Sequence, residues 1–215
     1  MNILIISATQ NEILKTIHHF KYITKNNFNI EFLETGIGQL HSCFNLTKKL
    51  QTSSYDIVIQ AGICGSVSKT VLLGEVVHIT EEEIIDIGAT SHSGFIPLGK
   101  LEFALNSSSV QETKFIPNNS LNTNIIKNMP KGYGITSNIA HGDLFWINYL
   151  TENYPFAFES MEGATSFFVC NNFNTPVIQI RAVSNYVEIR DTSKWEIKKS
   201  IDNLNQYLID IIHEI

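Results

Sequence analysis

A chain of 215 residues with 43% hydrophobic content can bury a substantial core and is expected to form one domain over residues 1–215. Its net charge of −6, with no block of Lys or Arg, argues against nucleic acid or an anionic membrane as the main partner and leaves a small ligand open. Cys43, Cys64 and Cys170 follow no CxxC pattern, so free thiols in a reducing compartment are expected rather than disulfides or zinc. The apolar run at the N-terminus has no basic flank and is too short for a signal peptide or a membrane span, which points to the cytoplasm.

Ile3 to Ile6 is a continuous apolar run, the pattern of a strand buried on both faces. A helical pattern of Ile13, Leu14, Ile17 and Phe20 follows. Glu12 falls between the two, either as a ligand-facing carboxylate at a strand end or as a first-turn acid favoured by the helix dipole. Asn29 to Thr35 predicts a second strand, and Gly36-Ile-Gly38 a tight turn into an amphipathic helix reaching Leu50. His41 stands where a dinucleotide fingerprint needs its third glycine, so no nicotinamide or flavin cofactor is expected.

Tyr55 to Gln60 predicts a buried strand that ends in the glycines of Ala61-Gly-Ile-Cys-Gly65. Gly74 to Ile79 and Glu83 to Ile87 predict a hairpin or meander. Residues 88–130 are the least periodic and suit a loop over a site. A strand is expected over Gly132 to Ser137, a helix opening at His141-Gly-Asp-Leu-Phe-Trp146, and a short strand from Pro155 to Phe158. A helix from Met161-Glu162 to Phe173 and a strand from Thr175 to Arg181 follow. Ser193 and Glu196 have capping-box spacing ahead of a last helix marked by Ile197, Ile201, Leu204, Leu208, Ile211 and Ile215. The histidines make no metal-ligand spacing, so no metal is expected.

Glu162, one residue after Met161 at a strand-to-helix junction, can offer its carboxylate to the paired hydroxyls of a ribose while the thioether packs on the sugar face. A solvated helix start would look the same. Asn185, at the end of Arg181-Ala-Val-Ser-Asn185, can read the edge of a base or occupy an ordinary turn.

The order of Glu12, Gly36-Ile-Gly38, Gln60-Ala-Gly-Ile-Cys-Gly65, Gly74-Glu-Val-Val77, His141-Gly-Asp-Leu-Phe145, Glu159-Ser-Met-Glu-Gly163 and Arg181-Ala-Val-Ser-Asn185 resembles the purine nucleoside phosphorylase/nucleosidase superfamily. The closer resemblance is to its methylthioadenosine/S-adenosylhomocysteine nucleosidase-like branch. It covers nearly the whole chain. It implies an α/β fold, a three-layer α/β/α sandwich with a mixed, partly closed central sheet, usually in a homodimer or larger homo-oligomer.

Position by position, the resemblance implies Glu12 as the carboxylate that activates water and Met161 and Glu162 as the ribose clamp. It further implies Phe145 stacked on the base, the backbone around Trp146 at the base's polar edge, and Ser184 and Asn185 facing the substrate. Two departures narrow it. The phosphate-binding arginines of the phosphorylases are missing, since no Arg or Lys lies between Ser7 and Glu12 and Gln60 precedes Ala61, so water is the expected nucleophile. Asn185 stands where adenine-specific nucleosidases carry Asp, and its amide suits a 6-oxopurine such as hypoxanthine. Arg190 is the candidate cation for a carboxylate beyond the ribose, against the plainer role of an ion pair with Glu188 or Asp191. The competing readings are an adenine nucleosidase, a nucleoside phosphorylase and a non-catalytic nucleoside-binding protein.

Overall fold

The computed structural model describes residues 1–21, 29–92, 94–101, 113–118 and 123–215. Its centre is a mixed sheet built on β1 (Asn2–Ser7), β2 (Asn29–Glu34), β3 (Ile57–Ser66), β4 (Val76–Ile84), β8 (Lys131–Thr136), β9 (Ala157–Ser160) and β10 (Val177–Tyr186). The strand order is β10-β4-β8-β9-β3-β1-β2. β10 also pairs with β3, so β3, β10, β4, β8 and β9 close into a ring from which β1 and β2 extend. The short β7 (Lys114–Phe115) adds to β4, and β5 (Gly88–Ser91) with β6 (Gly94–Pro97) forms a separate hairpin.

Helices cover both faces, which is why β1 reads as a continuous apolar run. Ile3 and Ile5 point to a layer formed with α1 (Gln10–Phe20) and the last helix, α6 (Ile197–Glu214), whose Leu204, Leu208 and Ile211 are fully buried. Leu4 and Ile6 point the other way, against α2 (Gln39–Thr52) and α5 (Gly163–Asn172) through Leu46, Leu50, Phe167 and Cys170. Alternate residues of one strand thus meet two different cores. A short α3 (Asn124–Asn128) lies near α6, and α4 (Leu144–Asn153) packs Leu150 against Ile135 and Ala157. The architecture is the expected α/β/α arrangement with a mixed, partly closed sheet.

Several local expectations change. β3 does not stop at Gln60 but runs through the glycine stretch to Ser66, paired with β10 on one side and β9 on the other. The expected hairpin of residues 74–87 is one strand, β4, in which the Glu81-Glu-Glu83 run is paired rather than turned. Ser193 does not cap the last helix. Asp191 caps a single turn at Thr192–Lys194, and Glu196 occupies the N-cap position of α6. The irregular stretch 88–130 lies partly outside the described residues, and none of its described residues lines the cavity formed by Glu12, Glu162 and Asn185. No helix among the described residues is long and apolar enough to cross a membrane.

Candidate active site

A cavity of about 470 Å³ opens at the C-terminal ends of β1, β3 and β10, where parallel strands of an α/β sheet commonly present ligand-binding groups. Glu12, Met161, Glu162, Ser184, Asn185 and Arg190 all line it. So do His141 and Glu159, which the sequence does not single out.

Glu12 is held from two sides. Its Oε2 accepts from the Thr9 N–H at 3.0 Å and the Thr9 hydroxyl at 3.2 Å, as the residue at the third helical position of α1 does in a capping box. Its Oε1 accepts from the Ile63 N–H at 3.1 Å, across from β3. A carboxylate only 8% exposed therefore stands with fixed orientation in the cavity wall. Gly62 makes this possible, because a Cβ there would come within 2.4 Å of Arg181 Nη1 and 3.0 Å of Glu12 Oε1.

Glu162 ends the turn between β9 and α5. Its Oε1 accepts from the Gly38 N–H at 2.9 Å, and the Arg181 guanidinium stands 4.0 Å from Oε2. The left-handed conformation of Gly38, φ 85°, aims that N–H into the site. Burial pushes the Glu162 carboxyl above its ordinary value, while Arg181 and the Gly38 N–H hold it down. Behind this group, Glu82 accepts from Thr136 Oγ1 at 2.9 Å and Gln179 Nε2 at 2.6 Å, and burial raises its carboxyl to about 7.

Asn185 lies near the end of β10. The Ser184 hydroxyl donates to its Oδ1 at 2.8 Å, with the Cys64 carbonyl 3.1 Å away as alternative acceptor. Asn185 Nδ2 donates to the Tyr186 carbonyl at 3.1 Å, which leaves one amide N–H for a ligand. Glu159, on β9, accepts from the His141 N–H at 3.2 Å and binds His141 Nδ1 in a short contact. Among the described residues, no group pairs with the buried His141 Nε2.

No family model matches the chain. In sequence it is 26% identical over 171 residues to a 5'-methylthioadenosine/S-adenosylhomocysteine nucleosidase of Anoxybacillus flavithermus, covering 75% of this chain and 69% of that protein. It is 25% identical over 179 residues to the futalosine hydrolase of Thermus thermophilus, covering 80% and 76%. In structure it superposes with TM-score 0.80 on a methylthioadenosine/S-adenosylhomocysteine nucleosidase of Streptococcus pneumoniae bound to 8-aminoadenine, at 18% identity and full coverage of both chains. The chain has the nucleosidase fold and nucleosidase relatives. These relatives are hydrolases of N-glycosidic bonds.

Within the nucleosidase fold, two expected positions move. Phe145 and Trp146 do not line the cavity. The helix starts only at Leu144, and Asp143 caps it by accepting from the Phe145 N–H at 3.0 Å and the Trp146 N–H at 3.1 Å, so those backbone groups are already taken. The Phe145 ring instead faces a second hollow with Phe95 of the β5–β6 hairpin, and Trp146 packs on His141 at 4.4 Å between ring centroids. Arg190 makes no ion pair with Glu188 or Asp191, which are bound by Lys69 and Lys194. Its guanidinium lies 5.0 Å from the centre of the Trp195 ring at the cavity's edge. Among the described residues, no group of three or more His, Cys, Asp or Glu is arranged to hold a metal ion.

Proposed function

We propose that the protein hydrolyses the N-ribosidic bond of futalosine, releasing hypoxanthine and leaving dehypoxanthine futalosine, a step towards menaquinone. The observation that supports this reading is the convergence of Glu12, Met161–Glu162 and Asn185 on one cavity. Breaking the bond between ribose and base builds positive charge on the sugar ring. Glu162 holds the ribose hydroxyls and puts negative charge near that cation, while Glu12 takes a proton from the attacking water. The water oxygen bonds to the anomeric carbon as the base departs with the bonding electrons.

Water is favoured over phosphate because Arg190 is the one Lys or Arg among the lining residues. Arg181 is turned toward Glu162, Gln179 and the Ile63 carbonyl. A phosphate would lack its usual bidentate partners. Arg190, free of carboxylate partners among the described residues, suits the aromatic carboxylate that futalosine carries beyond its ribose. The likeness to the Anoxybacillus flavithermus protein favours a second reading, a nucleosidase for methylthioadenosine or S-adenosylhomocysteine. Asn185 in place of an acid speaks for the first. The site sits in a soluble-type α/β fold, and we take the protein to act in the cytoplasm as a homo-oligomer.

Glu12→Gln tests the hydrolytic role. Turnover is expected to fall about 10²-fold or more while substrate still binds, measured by base release and by calorimetry. Near-normal turnover would remove Glu12 from the reaction.

A further inference from the structure

Asn185 reads only part of a purine's edge. A 6-oxopurine presents an acceptor oxygen next to an N1–H donor, whereas adenine presents a donor amine next to an acceptor N1. Discriminating the two therefore calls for a donor and an acceptor side by side on the protein. The structure holds such a pair. Asn185 on β10 is registered with Gly65 on β3, and Gly65 with Glu159 on β9. The three residues form one row across neighbouring strands, about 4.8 Å from each to the next.

The middle position of that row is bare. A Cβ built on Gly65 would come 3.2 Å from Asn185 Nδ2, so the amide leans over the glycine on the face to which Glu159, the direct register partner of Gly65, also points. Both side chains line the cavity, one from each side of the gap. Glu159 is 6% exposed, and no Lys or Arg pairs with it among the described residues. A carboxylate placed there is costly to bury and needs hydrogen-bond partners. Among the described residues its hydrogen-bond partners all come from one residue, His141, through the backbone N–H and Nδ1. A carboxylate has about four lone-pair positions, so it retains acceptor capacity toward the cavity.

We propose that Glu159, fixed in place by His141, is a specificity-determining residue that accepts a hydrogen bond from the N1–H of a 6-oxopurine base while the Asn185 amide donates to the base's acceptor edge. Adenine would set its N1 lone pair against a carboxylate and leave a buried acceptor pair facing each other. His141 acts as a positioning residue. The inference rests on the nucleosidase reading and deepens it, assigning the base by a residue other than Asn185.

The test compares futalosine with aminodeoxyfutalosine, which differ only in the 6-substituent of the base and the proton on N1. The expected result is a wild-type kcat/KM preference for futalosine that falls at least tenfold in Glu159→Gln, whose amide presents either a donor or an acceptor, with KM for the 6-oxo substrate rising. His141→Gln should lower the same preference less. Equal losses on both substrates, with the preference intact, would overturn the inference and leave Glu159 a structural residue. A second measurement needs no variant: the wild-type protein should bind hypoxanthine at least tenfold more tightly than 1-methylhypoxanthine in calorimetry, and equal affinities would contradict the proposal. A wild-type protein that hydrolyses neither nucleoside refutes the proposed futalosine activity, whereas hydrolysis with an unaltered preference in Glu159→Gln refutes this inference alone.

Discussion

At the scale of single residues, the site works by constraint on short polar side chains. Asn185 has its oxygen tied to Ser184 and one N–H tied to the Tyr186 carbonyl, so in the proposed role it would meet a ligand as a donor with fixed direction. Asn185→Asp would replace that donor with an ionised acceptor and face the Ser184 hydroxyl with a charge. The ratio of rates on 6-oxo and 6-amino substrates is expected to fall roughly tenfold or more, the kinetic weight of one buried polar mismatch. An unchanged ratio would remove Asn185 from base recognition. Glu12 and Asn185 could be singled out in the sequence because each sits at a strand end within a motif. The pairing of Glu159 with His141 could not, since the two residues lie on separate elements and share no periodic spacing.

At the scale of elements, glycines allow charged groups to approach one another. Gly163 opens α5 directly behind Glu162, and a Cβ there would lie 1.8 Å from Glu82 Oε1; one at Gly134 would lie 2.2 Å from the same atom. Gly163→Ala must displace a buried carboxylate bonded to Gln179 and Thr136. It is expected to cost about 3 kcal/mol of stability in denaturant unfolding. A loss under about 1 kcal/mol would show that Glu82 has room to move. The last helix was legible because its apolar residues recur on one face and bury there. β3 was legible only to Gln60: beyond it, Gly62 and Gly65 leave no alternation to read, and the strand is defined by its partners on both sides. β4 is not legible as one strand because the Glu81-Glu-Glu83 run interrupts its Val and Ile residues, yet Glu82 is buried and Glu83 accepts from the Tyr133 hydroxyl at 2.6 Å.

At the scale of the whole molecule, closure of five strands into a ring buries ionisable groups whose pH responses oppose each other. Desolvation raises Glu82 from 4.5 to about 7, so its contribution to stability is present below pH 4.5 and lost as pH rises through about 7. Desolvation, helped by Lys131, lowers His78 from 6.5 to about 4, so its contribution is present above pH 6.5 and lost as pH falls through about 4. Each is worth on the order of 3 kcal/mol at its limit. Between pH 4.5 and 6.5 they offset each other. In His78→Leu the Glu82 response stands alone, and melting temperature relative to wild type should rise on going from pH 7 to pH 5. A relative fall would contradict the assignment of His78 as a buried neutral imidazole.

Glu12, Glu162 and Asn185 converge on one cavity, and what that cavity cleaves decides the proposed function. Its most direct test is to incubate the purified protein with futalosine, inosine and methylthioadenosine, with and without phosphate, and to identify the base released. The expected result is hypoxanthine from futalosine at a rate independent of phosphate. Release of adenine from methylthioadenosine as the principal reaction, or a requirement for phosphate, would contradict it.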